Sequence, residues 1–511
     1  MQTYETAPPA GAERPADPRR WWILAVLSLA LFVIILNNGL LNVALPSVMR
    51  DLHAGIGTTQ WIVDCYALVF AACLLTAGTL SDRYGRRRAT LLGVVLFGAG
   101  SLVALTAHGA AQLAAARAVM GAAAALVMPG TLSILVDVFP ERERQRAIAV
   151  WGSTSALGVA AGPVLGGTLV AHFWWGSVFV VNLLPVAVVL VAGFLLLPES
   201  KAAVPRRWDP VGALLGAAAM AGAVYGAIHA SGEGWTSAPV LGAFGGALVA
   251  GAAFAAWERR HPSPMVDFAL LRRPVFLGAS AGNMLLFSGL AGTLFVLTQY
   301  LQFALGYGPL RAGLAIAPVA VAVGLGSAAS PWLTRTTGPR GSVTTGLVLC
   351  AAGVLTLAGA GAYPGILTGL ALMGVGVGLA LSPTTDTVMT LVPAERSGNA
   401  AALNDTMQEL GNALGVAVVG TVLSRESGGH GAAGLPGARF GGAATAGFET
   451  AAGIVALGAV FALVLLPGPV RRGLGQGASR GAVVGKAVPG DPAPHDSFAH
   501  EAPVRQAADR P

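Results

Sequence analysis

Apolar residues run along the chain in blocks of about twenty, separated by short breaks rich in Arg, Gly and Pro. As a helix rising about 1.5 Å per residue, a block of that length crosses the ~30 Å hydrocarbon core of a bilayer. The blocks predict fourteen transmembrane helices, over 21–44, 58–80, 90–108, 112–136, 147–171, 176–197, 209–230, 238–257, 275–298, 311–333, 342–361, 364–391, 398–424 and 446–467. The helices over 209–230 and 238–257 are rich in Ala and Gly and therefore only weakly hydrophobic.

The breaks carry a second pattern. Even-numbered loops hold seventeen Lys or Arg residues, whereas odd-numbered loops hold four, namely Arg50, Arg311, Arg425 and Arg439. Basic residues accumulate on the cytoplasmic side, so both termini are predicted inside a multi-pass protein of the plasma (inner) membrane. Trp21, Trp22, Trp61, Trp174, Trp175, Trp208, Trp257 and Trp332 fall near predicted helix ends, where an indole meets headgroups. The Gly-rich stretch from Ser424 to Thr450 is predicted as an external loop, and the Gly/Pro/Ala-rich tail after Arg472 as disordered. The chain then divides into a cytoplasmic tail (1–20), a six-helix bundle (21–200), a linker with two further helices (201–274), a second six-helix bundle (275–468) and a terminal tail (469–511).

Composition narrows the function classes. With 54% hydrophobic and 11% charged residues, the chain cannot cover a water-exposed surface, for which about 25% charge is usual. A soluble enzyme, a disordered chain and a nucleic-acid binder are excluded. The net charge of +7 does not restore the last, because its basic residues are spread over loops rather than gathered in one patch. Cys65, Cys73 and Cys350 lie inside apolar runs without metal or Cys-x-x-Cys spacing, so they read as packing residues and no metal site is predicted. Nothing matches a phosphate-cradling Gly-x-x-x-x-Gly-Lys-[Ser/Thr] loop, so no nucleotide or other cofactor is expected. Gly278-Ala-Ser280-Ala-Gly282 has the spacing of a hydrolase elbow but sits inside a predicted span, and no catalytic residue is assigned. The first apolar run is too long, and lacks the small-residue site, for a cleaved signal peptide.

Three motifs stand out. Between the second and third helices the chain reads Gly78-Thr-Leu-Ser-Asp82-Arg83-Tyr-Gly85-Arg86-Arg87-Arg88. Gly78 lets two helices approach, Asp82 can accept from helix N-termini or pair with an Arg, and Gly85 permits a tight turn. The fourth helix carries Arg117-Ala-Val-Met-Gly121, with Arg117 inside the membrane and Asp64 of the second helix at a similar depth. The fifth carries Gly158-Val-Ala-Ala-Gly162-Pro163-Val-Leu-Gly166-Gly167, in which the first three glycines line one face and the proline frees a carbonyl.

These stretches resemble the conserved motifs of the major facilitator superfamily, the last of them its antiporter motif. With fourteen helices they resemble its drug:proton antiporters of the EmrB/QacA type over about 21–467. Asn42-Val-Ala-Leu-Pro46 closing the first helix, Trp61-Ile-Val-Asp64-Cys-Tyr66 and Gln302-Phe-Ala-Leu-Gly-Tyr307-Gly-Pro309 add to the likeness. The resemblance implies an all-α membrane fold of two six-helix bundles with two extra central helices. It also implies multidrug efflux: proton-coupled export of a lipophilic, cationic or antibiotic-like small molecule, driven by the proton gradient, by a monomer. Gly78, Asp82, Arg83, Gly85, Arg86 and Arg87 would form its gating loop. One departure matters. Many relatives carry an Asp about five residues before the Asn-Val-Ala-Leu-Pro run, and here that place holds Asn37, followed by Asn38.

The proton chemistry is then expected elsewhere. The twelfth and thirteenth helices carry Asp386, Asp405 and Glu409, the last two spaced i,i+4 on one face. Glu409 lies eleven residues beyond Gly398, roughly 16 Å along a helix and close to mid-membrane. An ionised acid there costs about 2.5–3.5 kcal/mol on insertion scales, so three acids on two helices point to proton exchange rather than packing. A regular hairpin would set Asp386 across from Asp405, with Glu409 one turn deeper. Asp64, Arg117, Asn37 and Asn38 complete the candidate proton and substrate residues, with Arg117 expected to pair with Asp64 or to bond the Asn37/Asn38 turn. An exporter of an endogenous metabolite or lipid would use the same residues. A polytopic sensor or membrane enzyme would need a soluble domain or a catalytic cluster, and neither is present.

Overall fold

The computed structural model describes residues 17–54, 56–201, 209–261, 264–266, 270–392, 397–426 and 437–468. They form α1 (Arg20–Asp51), α2 (Ile56–Tyr84), α3 (Arg86–Leu105), α4 (Ala110–Val138), α5 (Glu141–His172), α6 (Ser177–Leu196), α7 (Pro210–Glu233), α8 (Ala238–Glu258), α9 (Pro274–Gln299), a short α10 (Pro309–Ile316), α11 (Pro318–Ala358), α12 (Tyr363–Thr390), α13 (Ser397–Glu426) and α14 (Gly437–Leu465). Among the described residues there is no strand. Pro at the first or second position starts α7 through α12, where its missing N–H would find no partner inside the helix anyway.

Among the described residues, twelve helical stretches are long and apolar enough to span a bilayer. One of them, Leu310–Ala358, covers 49 residues and is about twice the length one crossing needs. Its backbone turns back at Gly338, whose φ of 75° and ψ of 172° are not helical. The helix it packs against most extensively is α12. The other predicted span missing from the twelve is α13, which carries Asn399, Asn404, Asp405, Gln408, Glu409 and Asn412. Hydropathy passes over it because it is built to line something polar.

Several helix ends extend beyond the hydropathy reading. α3 begins at Arg86 rather than near 90, α5 at Glu141 rather than near 147, and α1 runs on to Asp51 instead of closing at Asn42–Pro46. Apolar character stops where the hydrocarbon stops, but helical hydrogen bonding continues through the charged interface. α13 runs to Glu426 and α14 starts at Gly437, so much of the expected loop from Ser424 to Thr450 is helical; residues 427–436, Trp208, residues 393–396 and the tails lie outside the described residues.

Beside two small clusters that involve α7, two large apolar cores form among the described residues. One is built mainly from residues between Ile23 and Leu197, the other from residues between Phe276 and Leu466. Large apolar side chains such as Leu184 and Leu248 are 74% and 75% exposed, the pattern of a surface made for lipid rather than water. α7 and α8 pack against each other, and α7 against α2 and α13.

The glycines of the fifth helix act as read. A Cβ at Gly158 would sit 3.0 Å from Ile35, at Gly162 2.7 Å from the Gly39 Cα, and at Gly166 3.2 Å from the Leu40 Cα. They form the face on which α1 crosses α5. Gly167 points instead toward Leu310 of α10, and α5 runs on unbroken through Pro163. Gly162→Leu is therefore expected to cost about 1–3 kcal/mol by overpacking this crossing, seen as a lowered unfolding temperature in detergent.

Candidate transport site and gate

Between the two cores lies a cavity of about 280 Å³. Most of its wall is apolar, with Ile34, Phe70, Trp151, Leu290, Val323 and Leu381 among the lining residues. Polar groups enter from two sides. Asn38 and Tyr66 come from α1 and α2, and Asp405, Gln408, Glu409 and Asn412 from α13. The i,i+4 spacing thus brings Asp405 and Glu409 to one wall. Asp405 is 1% exposed; its Oδ1 accepts from Asn404 Nδ2 at 3.3 Å, and its Oδ2 has no hydrogen-bond partner. Glu409 is half-buried beside Asn412. α13 reaches so close to α9 because Gly411 and Gly415 face its backbone at Met284 and Ser288.

Arg117 is 1% exposed and does not reach the headgroups. Its Nη2 donates to Asn38 Oδ1 at 3.1 Å, and its guanidinium lies 4.2 Å from the Tyr66 ring centroid. Nε and Nη1 have no hydrogen-bond partner. Of the two expected arrangements the Asn38 bond is the one formed, and Arg117 makes no ion pair with Asp64. The reason is angular. Residues two apart on a helix point about 200° apart. Tyr66 faces the cavity and Arg117, so Asp64 faces the other way, toward α7, where His229 lies within electrostatic reach and the Trp61 ring is tilted against that of His229 at 6.5 Å between centroids. Asn37 and Asn38 part company in the same manner. Asn37 Oδ1 accepts from Asn182 Nδ2 of α6 at 3.0 Å, away from the cavity.

Asp386 also departs from the hairpin expectation. It lies within electrostatic reach of Arg144 and Glu141 at the start of α5, while Asp405 has Asn404 and Glu409 as neighbours. Depth alone placed the two acids opposite each other, but α12 packs against α11, α5 and α9 and hardly against α13, so no close hairpin brings them together.

The Arg-rich end of the bundle is closed by the second- to third-helix loop. A Cβ at Gly78 would stand 2.6 Å from the Gly398 carbonyl oxygen, so α2 and α13 cross in backbone contact there. Asp82 accepts from the backbone N–H groups of Gly398 and Asn399, both at 3.0 Å, and its Oδ1 pairs with Arg86 at 3.0 Å. It therefore does both things its chemistry allowed. Arg86 also pairs with Asp137 of α4 and donates its backbone N–H to Ser200 O at 2.8 Å. Gly85 makes the turn with φ 112°. Arg87 donates to Phe194 O and lies 5.0 Å from that ring, and Arg83 lies over Tyr84 at 5.3 Å. A second tie, Gln145 Nε2 to Thr334 Oγ1 at 2.8 Å, joins α5 to α11.

A cavity between two helical halves, closed at one end by backbone-to-carboxylate bonds, is the layout of an alternating-access carrier. The model of the Major Facilitator Superfamily matches residues 27–416. The chain belongs to this superfamily. It is 36% identical over 428 residues, 83% of this chain and 84% of the relative, to the multidrug efflux pump LfrA of Mycolicibacterium smegmatis. It is 32% identical over 437 residues, 84% of this chain and 81% of the relative, to the tetracenomycin C resistance and export protein of Streptomyces glaucescens. Among solved structures, the human organic anion transporter MFSD10 matches with a TM-score of 0.65 at 17% identity, over 87% of this chain and 100% of that one, a likeness of fold.

The sequence reading assigns no role to Tyr66, Gln408, Asn412, Asp137 or Asn399. Gln408 and Asn412 flank Glu409 within one turn, and that crowding of polar residues in a span was the available clue. The contacts of Asp137 and Asn399 had none.

Proposed function

We propose that this major facilitator protein exports lipophilic drugs or antibiotics from the cell in exchange for protons. The observation that supports it most directly is the Asp405/Glu409 wall of an otherwise apolar cavity. Apolar walls fit a lipophilic molecule, and a few placed polar groups fix its orientation. A carboxyl group that is neutral with a proton and negative without one can serve a proton or a cation, but not both together. That exclusion couples the two flows. The Arg-rich end faces the cytoplasm by the positive-inside bias, with both termini inside. With that end latched, a proton entering from outside would reach Glu409 and displace a cationic drug outward. Each charge moved is worth about 2.3 kcal/mol per 100 mV. The names of the relatives, a multidrug efflux pump and a tetracenomycin C resistance and export protein, support the same substrate class.

Cells expressing the chain are expected to retain several-fold less of a lipophilic cationic dye than cells carrying an empty vector, and a protonophore should remove the difference. Equal retention, or efflux that persists with the gradient collapsed, would overturn the proposal.

A further inference from the structure

α8 is turned almost wholly outward, and Val240 and Glu258 are its buried residues. A carboxylate 1% exposed is the exception on a helix that otherwise meets lipid. Such a group is retained when hydrogen bonds replace its water. Glu258 Oε2 accepts from the backbone N–H of Met265 and, at 3.3 Å, from that of Val266. Beside it Asp209, which caps α7, accepts from Gly212 N at 2.8 Å and from Trp257 Nε1 at 2.9 Å. The two open ends of the α7–α8 hairpin thus meet, and Glu258 holds a strap whose Met265 and Val266 are 4% and 6% exposed.

The strap is bonded onward. The Met265 carbonyl oxygen accepts from Asn399 Nδ2, and the Asn399 backbone N–H donates to Asp82 Oδ2 at 3.0 Å. A continuous line of hydrogen bonds therefore runs from the extra hairpin through the strap and the first turn of α13 to the carboxylate that closes the Arg-rich end. Asn399 has its side chain tied to the strap and its main chain tied to the gate.

We propose that Glu258 is a positioning residue of this gate. It fixes Met265 so that Asn399, and with it the N-terminus of α13, is held ready for Asp82, which makes the two extra helices part of the latch rather than passive spacers. The inference rests on the alternating-access reading of the Arg-rich end. Glu258 does not touch the cavity, so its effect falls on the balance between closed and open gate, and not on the binding of drug.

The test is the distance between spin labels at two exposed positions, Arg88 on α3 and Thr336 on α11, in a cysteine-free chain in lipid nanodiscs. Glu258→Ala is expected to raise the long-distance, open fraction by about three-fold, a shift readily resolved in a two-state equilibrium. Asn399→Ala should do the same, and the double variant no more, because both break one line. Glu258→Gln should stay near the parent, since its amide oxygen still accepts. Glu258→Asp, one methylene short of the strap, is measured as well, so that the outcome does not depend on Glu258→Ala inserting. Asp82→Asn serves as the direct break. If Asp82→Asn opens the gate and the Glu258→Ala and Glu258→Asp variants leave the distances unchanged, the latch inference is wrong and alternating access stands. If Asp82→Asn itself leaves them unchanged, the gate reading falls with it.

Discussion

Arg117→Ala is expected to lower dye export at least about tenfold while leaving the amount of inserted protein nearly unchanged. The reason lies in terms that almost cancel for stability. Burying a guanidinium in the membrane costs up to about 2.5–3.5 kcal/mol, the helix-centre value on insertion scales. Its desolvated contact with the Tyr66 ring returns about 2 kcal/mol, and a hydrogen bond to a charged donor about 1.5–3 kcal/mol. Removing the side chain loses the gains and the cost together. What is not replaced is the fixed positive charge behind Tyr66, a residue within electrostatic reach of both Arg117 and Glu409. Arg117→Lys keeps the charge but loses the planar stack, so partial export is expected. Full export by Arg117→Ala would mean that the guanidinium is packing only. The assay is initial efflux rate normalised to membrane protein.

Glu409→Gln should have an effect at least as large. Gln keeps the shape and much of the hydrogen bonding while removing the exchangeable proton, so folding and cavity volume should persist. Export against a gradient is expected to fall by about 10²-fold or more, in the range a missing proton-transfer group costs in other proteins. Dye-for-dye exchange without a pH gradient should survive, because it moves no proton. Asp405→Asn is expected to show a smaller loss, since Asp405 is more deeply buried and bonded to Asn404. Loss of exchange as well as of uphill export in Glu409→Gln would point to a collapsed cavity instead.

Much of this was legible in the chain because it depends on one helix at a time. Twenty-residue apolar blocks, the glycine face of α5, the Gly78–Gly85 turn and the shared face of Asp405 and Glu409 all follow from helical geometry and bilayer thickness. What differs depends on how helices are rotated and packed against one another. Asp64 and Tyr66 are two positions apart, so one of them had to face away from Arg117, and nothing in the sequence said which. Depth placed Asp386 level with Asp405, but α12 packs on α5 rather than on α13, which leaves Asp386 on the Arg144 side. Glu258 was out of reach altogether. Its partners are backbone N–H groups of a short connecting strap, and main-chain donors leave no mark in a residue pattern.

The central claim is that a proton and a drug compete at the α13 acids. Purified protein in weakly buffered detergent, read with a pH indicator, measures it directly. Adding the cationic dye to the unaltered protein should release protons in proportion to dye bound, and Glu409→Gln should bind dye with no release. Unchanged release in both Glu409→Gln and Asp405→Asn would contradict the account and return the coupling role to Asp64 on the α7 side.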